Sequence, residues 1–158
     1  MALAMMGAKF SRRLVLVAAF GLLTADAEGR CNIDLAVQFK ITPSTNAVFL
    51  ATVEDVRPAR AGQMVTFAIS RVYRGRIPRQ IVVYNATQVV DTDGRLLDTS
   101  DSIAAMLGQS YIVFVRPPTP QQRRIAKFPA EAYAMQGCDL FPTPPYNPDT
   151  LGPGYSPQ

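Results

Sequence analysis

Between residues 47 and 115 the chain repeatedly gathers β-branched, aromatic and aliphatic residues into runs of six to ten, then breaks each run with glycine, proline or a polar turn. Runs of that length suit the strands of a small sheet. Ala47 to Val56, Met64 to Tyr73, Gln80 to Asn85 and Ser110 to Val115 read as core strands. Pro58 and Gly62 lie between the first two, Gly75 and Pro78 between the second and third. In the second run Val65, Phe67 and Ile69 share a face, but the next apolar residue of that series is Val72. Such a slip of phase is what a β-bulge inserts, and bulges bend small sheets toward closure.

The flanking segments are less regular. Ile33, Leu35, Val37, Phe39 and Ile41 alternate with Asp34, Ala36, Gln38 and Lys40, the period of a half-buried strand, although Leu35 and Phe39 also fit one helical turn. Asp93-Gly94 is a hairpin signal. Thr99 or Ser100 is expected to cap a short helix with Ile103, Met106 and Leu107 on its apolar side and Gly108 at its end. Pro117, Pro118 and Pro120 are read as breakers, followed by weaker strands at Ile125 to Phe128 and Ala132 to Met135. Residues 142–158, with Pro142, Pro144, Pro145, Pro148, Pro153 and Pro157, are expected to form a Pro-rich flexible tail or spacer. The expected fold is mostly β: an OB-like closed five-stranded Greek-key barrel with one short helix and a disulfide.

Residues 1–27 have the three zones of a signal peptide. Lys9, Arg12 and Arg13 supply charge, Leu14 to Leu23 is apolar, and Ala25-Asp26-Ala27 is a small-x-small site, placing cleavage between Ala27 and Glu28. Ser11 to Leu16 also resembles a twin-arginine export motif of bacteria, while the apolar run fits the general secretory route equally well. The domain is therefore expected to span residues 28–141 and to reach the periplasm or extracellular space of a bacterium, with no transmembrane segment after signal removal. Of the net charge of +4, the leader holds three cations and one acid, so its removal halves the charge. That balance is too weak to indicate nucleic acid or anionic lipid as a partner. Cys31 and Cys138 are the two cysteines, and an isolated pair in an oxidising compartment is most simply a disulfide.

There is no histidine, which removes the usual general base near neutral pH and the commonest zinc ligand. No catalytic residue, cofactor site or metal site is expected. The carboxylates Glu54 and Asp55 are strand neighbours whose side chains should point to opposite faces. Asp91, Asp93, Asp98 and Asp101 depart from a calcium-loop spacing because glycine comes fourth, at Gly94, and turn chemistry accounts better for Asp91 and Asp93. Arg71, Arg74, Arg76 and Arg79 cluster along one hairpin and are the candidate partner-binding residues; a solvated hairpin that resists edge pairing is the plainer reading. Asn85-Ala86-Thr87 is a glycosylation sequon, expected to be inert in a bacterium.

The segments Ala47 to Val53, Val65 to Gly75, Gly108 to Phe114 and Gly137-Cys138, taken in order and spacing, resemble the netrin-like superfamily, in particular bacterial relatives of the tissue inhibitors of metalloproteinases. The resemblance covers roughly residues 31–138. It implies an OB-like barrel whose N-terminal segment is tied by a disulfide to its C-terminal end. Inhibitors of that family chelate a protease zinc through the amino group and carbonyl of a first cysteine in Cys-x-Cys. Here Cys31 is followed by Asn32 and Ile33, and the expected mature terminus is Glu28. The sequence therefore points first to an exported, non-catalytic module that binds another protein, with metalloprotease inhibition as the alternative.

Overall fold

The computed structural model describes residues 33–44, 46–98, 103–126 and 132–158. Its first two strands, β1 (Ala47–Ala59) and β2 (Gly62–Arg74), form a long antiparallel hairpin closed by Arg60 and Ala61. β3 (Gln80–Ala86) continues the sheet, and a small ribbon of β4 (Gln88–Val90) and β5 (Leu96–Asp98) follows it. β6 (Ser110–Val115) returns to lie against β1, β7 (Tyr133–Gln136) runs parallel to β3, and β8 (Leu140–Thr143) pairs with β6. The main sheet thus has the order β7-β3-β2-β1-β6-β8 and curls into a half-barrel. β7 also touches the end of β6, where the Arg116 and Ala134 backbones exchange two hydrogen bonds of 2.9 Å.

The curl has a local cause. Ile69 and Arg71 of β2 pair with Ala51 and Leu50, leaving Ser70 as the extra residue, and Tyr73 is a second extra residue between Val72 and Arg74. The slip of phase read between Ile69 and Val72 is therefore a bulge, and both of those side chains stay buried.

The sheet buries both faces of its centre. On the concave side Phe49, Val53, Val65, Phe67, Val83, Val113 and Met135 form the main core, with Phe49 and Phe67 edge to face at 6.1 Å. On the convex side Val48, Ile112, Phe114 and Phe141 form a second cluster with Leu35. A strand covered on both faces carries no polar alternation, which is why Tyr111 to Val115 is apolar without a break.

Among the described residues there are two α-helices, neither of them at the place where one was expected. α1 (Leu35–Ile41) occupies the segment whose alternation suggested a strand. Asp34 caps it, its Oδ1 accepting from the backbone N–H of Ala36 at 2.8 Å and Val37 at 3.1 Å, and Leu35 and Phe39 face the second cluster. α2 (Pro120–Ala126) begins at a proline read as a breaker. Proline is well placed in a first turn, and Thr119 and Gln122 form a reciprocal capping pair, with bonds of 2.9 and 3.2 Å. The strand expected from Ile125 is therefore helical at its start; Lys127 and Phe128 lie outside the described residues. The helix expected to end at Gly108 is absent over 103–108, and its capping residues lie outside the described residues. Its backbone groups are claimed from elsewhere: the Asn85 amide donates to the Ile103 carbonyl, Gln63 Oε1 accepts from Ala105 N–H, and the Tyr111 hydroxyl accepts from Met106 N–H.

Residues 142–158 are not a detached tail. Tyr146 stacks edge to face on Phe141 at 4.9 Å, and Leu151, ending a 3-10 turn at Pro148–Leu151, joins the second cluster. Tyr155 bridges Val72 by two backbone bonds of 2.8 Å, and Gln158 N–H reaches the Ile77 carbonyl. Prolines suit this strap because most of it runs across the sheet rather than within a ladder. Tyr146→Ala is expected to cost about 1–2 kcal/mol and to lower the urea midpoint without changing the slope of the transition; an unchanged midpoint would show that the strap carries no packing energy.

Candidate functional site

The four hairpin arginines do not form one cationic site. Arg74 leans from β2 onto α1, where its guanidinium donates to the carbonyls of Thr42 at 2.7 Å and Phe39 at 2.9 Å and stands 4.2 Å from the centre of the Phe39 ring. A cation there satisfies carbonyls left open at the helix end and complements its dipole. Arg71 pairs with Asp149 of the strap at 3.1 Å. Burial pushes the neighbouring Tyr73 phenol up, and the Arg71 guanidinium offsets part of that rise. Arg76 and Arg79 are exposed on either side of Pro78, and neither makes an ion pair among the described residues. The patch read from sequence is thus reduced to two exposed cations, because tertiary contacts consume the other two.

The remaining polar candidates also have structural partners. Glu54 accepts a hydrogen bond from Gln80 Nε2 on β3, whereas Asp55 pairs with Arg57 at 2.7 Å. Asp91 Oδ1 accepts from the backbone N–H of Asp93 at 2.9 Å and of Arg95 at 2.8 Å, the turn chemistry read from sequence. Asp101 lies outside the described residues, and among those described no group of three or more His, Cys, Asp or Glu side chains is placed to hold a metal ion. Cys138 sits between β7 and β8, beside Asp139, whose carboxylate is buried and paired with Arg116. Cys31 and the cleavage residues Ala27 and Glu28 lie outside the described residues.

What sequence reading missed is an apolar presentation at one end of the sheet. β3 finishes and β6 begins there, and the Ala61 carbonyl of the β1–β2 turn accepts from the Thr87 and Gln88 N–H groups. Leu96 and Leu97 of β5 are 46% and 52% exposed, and Met106 and Leu107 before β6 are 65% and 70% exposed. These last two are held on a built turn. Gln109 N–H donates to the Met106 carbonyl at 3.1 Å, Gly108 takes a φ of +77°, and Gly108 and Gln109 exchange hydrogen bonds with Val53 at 2.9 and 3.0 Å. A bonded turn that carries two large apolar side chains into solvent loses little entropy when a partner covers them. The signal was in the sequence as Met106-Leu107-Gly108, but assigning it to a helix face hid its exposure.

Burial pushes the Tyr84 and Tyr111 phenols up; the first donates to the Arg60 carbonyl at 2.9 Å and the second accepts from Met106 N–H at 3.2 Å. No family model and no curated protein sequence matches the chain.

Arg74→Ala is expected to cost about 1–3 kcal/mol in urea unfolding, while Arg76→Ala and Arg79→Ala stay within about 0.5 kcal/mol. Equal effects at all three positions would contradict the division described. A phenol that ionises less readily in the native state than in the unfolded chain contributes stability that is complete below about pH 10 and lost as pH climbs through the raised native value. Unfolding titrations should therefore show a fall above about pH 10 that is smaller in the Tyr84→Phe, Tyr111→Phe double variant.

Proposed function

We propose that this chain is an exported, non-catalytic protein-interaction module of netrin-like kinship that works in the periplasm or outside the cell. The observation that carries the binding reading is the exposure of Met106 and Leu107 on the bonded turn before β6, with Leu96 and Leu97 of the β4–β5 ribbon also exposed. Large apolar side chains held in place on a rigid scaffold are the usual anchors of a protein interface.

The kinship rests on the order of the strands. In the order β7-β3-β2-β1-β6-β8, β7 lies parallel to β3 at one edge, and the isolated Arg116–Ala134 bridge is its contact with the chain just past β6. An OB-type barrel would continue this order into a closed circuit, and we read the curled sheet as a variant of one in which β8 takes the free edge of β6. Cys138, two residues past β7, is where the proposed disulfide with Cys31 would tie the N-terminal segment to the end of that barrel. Export rests on the three-zone leader and its Ala27-Glu28 cleavage site.

The test uses the exported full chain as bait in cell-envelope extract, beside the Met106→Asp, Leu107→Asp double variant. Both positions are largely exposed, so the variant should unfold within about 0.5–1 kcal/mol of the parent. A partner retained by the parent and lost by the variant is the expected result. A partner held equally by both would remove this end of the sheet from the interface, and accumulation of the chain in the cytoplasm would remove the export reading.

A further inference from the structure

The sequon Asn85-Ala86-Thr87 lies in a place that a sequon able to carry a glycan cannot occupy. Asn85 is 3% exposed, and its side chain follows Ile81 and Val83 to the buried side of β3. Both of its amide N–H groups are spent inside: Nδ2 donates to the Ile103 carbonyl at 2.9 Å and to Gln63 Oε1 at 3.3 Å. The same Gln63 oxygen accepts from Ala105 N–H at 3.0 Å, so the two amides together hold residues 103–105 across the end of the core. The backbone is no freer. Asn85 and Ala86 are paired with Gln63 and Gly62 of β2 on one edge and with Met135 and Gln136 of β7 on the other, and Thr87 N–H is bonded to the Ala61 carbonyl.

N-glycosylation would use the very atom that makes these contacts. The Asn85 Nδ2 forms a bond to the anomeric carbon of an oligosaccharide delivered on a lipid pyrophosphate; the lipid pyrophosphate leaves, and the amide gives up one proton. One of the two donors is then lost, and a hydrated sugar must occupy a site whose neighbours include Met135, itself 1% exposed. Sugar hydroxyls buried among apolar side chains would lose their water without gaining partners, which the native packing cannot offset. We infer that glycosylation at Asn85 and the native fold exclude each other: the sequon is an acceptor in the unfolded chain alone, and Asn85 serves in the folded chain as a positioning residue for the segment that leads to Met106 and Leu107.

The full chain, translated behind a cleavable targeting sequence in the presence of microsomes, presents the sequon to the oligosaccharyl transferase before folding. The purified folded chain, offered to the solubilised transferase with a lipid-linked donor, presents it afterwards. Glycan is expected at Asn85 in the first arm and none in the second. Within the first arm the glycan-shifted species should be digested rapidly by trypsin, while the unmodified species persists. Modification of the folded chain, a glycosylated species as trypsin-resistant as the unmodified one, or absence of modification in both arms would each overturn the inference.

Discussion

Covering both faces of β1 and β6 is the constraint on which the rest of the structure depends. These two neighbours pair through Ala47 to Thr52 and Ser110 to Val115. Their concave side is closed by the curl of the sheet, which is bent at the Ser70 and Tyr73 bulges so that Phe67 and Val72 meet Phe49 and Val113 in one core. Their convex side is closed, among the described residues, by helix and strap rather than by a second sheet. Val48, Ile112 and Phe114 there are covered by α1, by Phe141 of β8 and by Tyr146 and Leu151 of the strap. The prolines of the strap are compatible with that task because its hold is side-chain packing, supplemented by the Arg71–Asp149 pair and the Tyr155 bridge, with little ladder to interrupt.

The same requirement explains the fate of the hairpin arginines. A seven-residue helix laid on a sheet leaves carbonyls open at its C-terminal end, and Arg74 is the nearby cation that can reach them while stacking on Phe39. Arg71 reaches the strap at Asp149 in a more exposed pair. Arginines spaced along one hairpin look like a binding surface until the elements that pack on that hairpin are in place.

A second set of contacts shapes the other end of the sheet. The buried amides of Asn85 and Gln63 and the hydroxyl of Tyr111 bond to the backbone of residues 103–106. Each of these bonds takes a group that a helical turn would have used internally. A segment with a respectable apolar spacing is therefore held out of a helix, and Met106 and Leu107 are exposed to solvent.

The central strands β1, β2, β3 and β6 follow from residue order alone, since β-branched runs broken by Gly62 and Gly75 leave few other ways to bury so much apolar surface, whereas β4, β5 and β8 were not legible there. The bulge near Ile69 and the turn at Asp91 were legible for the same reason, being local in phase and in hydrogen bonding. The Asp34 cap and the Thr119–Gln122 capping pair were also present in the sequence, and they, rather than the alternation of α1 or the prolines before α2, decided those helices. Three outcomes were settled only by tertiary contact: the docking of residues 142–158, the internal use of Arg71 and Arg74, and the exposure of Met106 and Leu107. In each case the deciding partner lies some 30 or more residues away along the chain, or, for Met106 and Leu107, acts through Gln63 and Asn85 on a neighbouring segment; a side chain's own neighbours cannot reveal which distant backbone group it will satisfy.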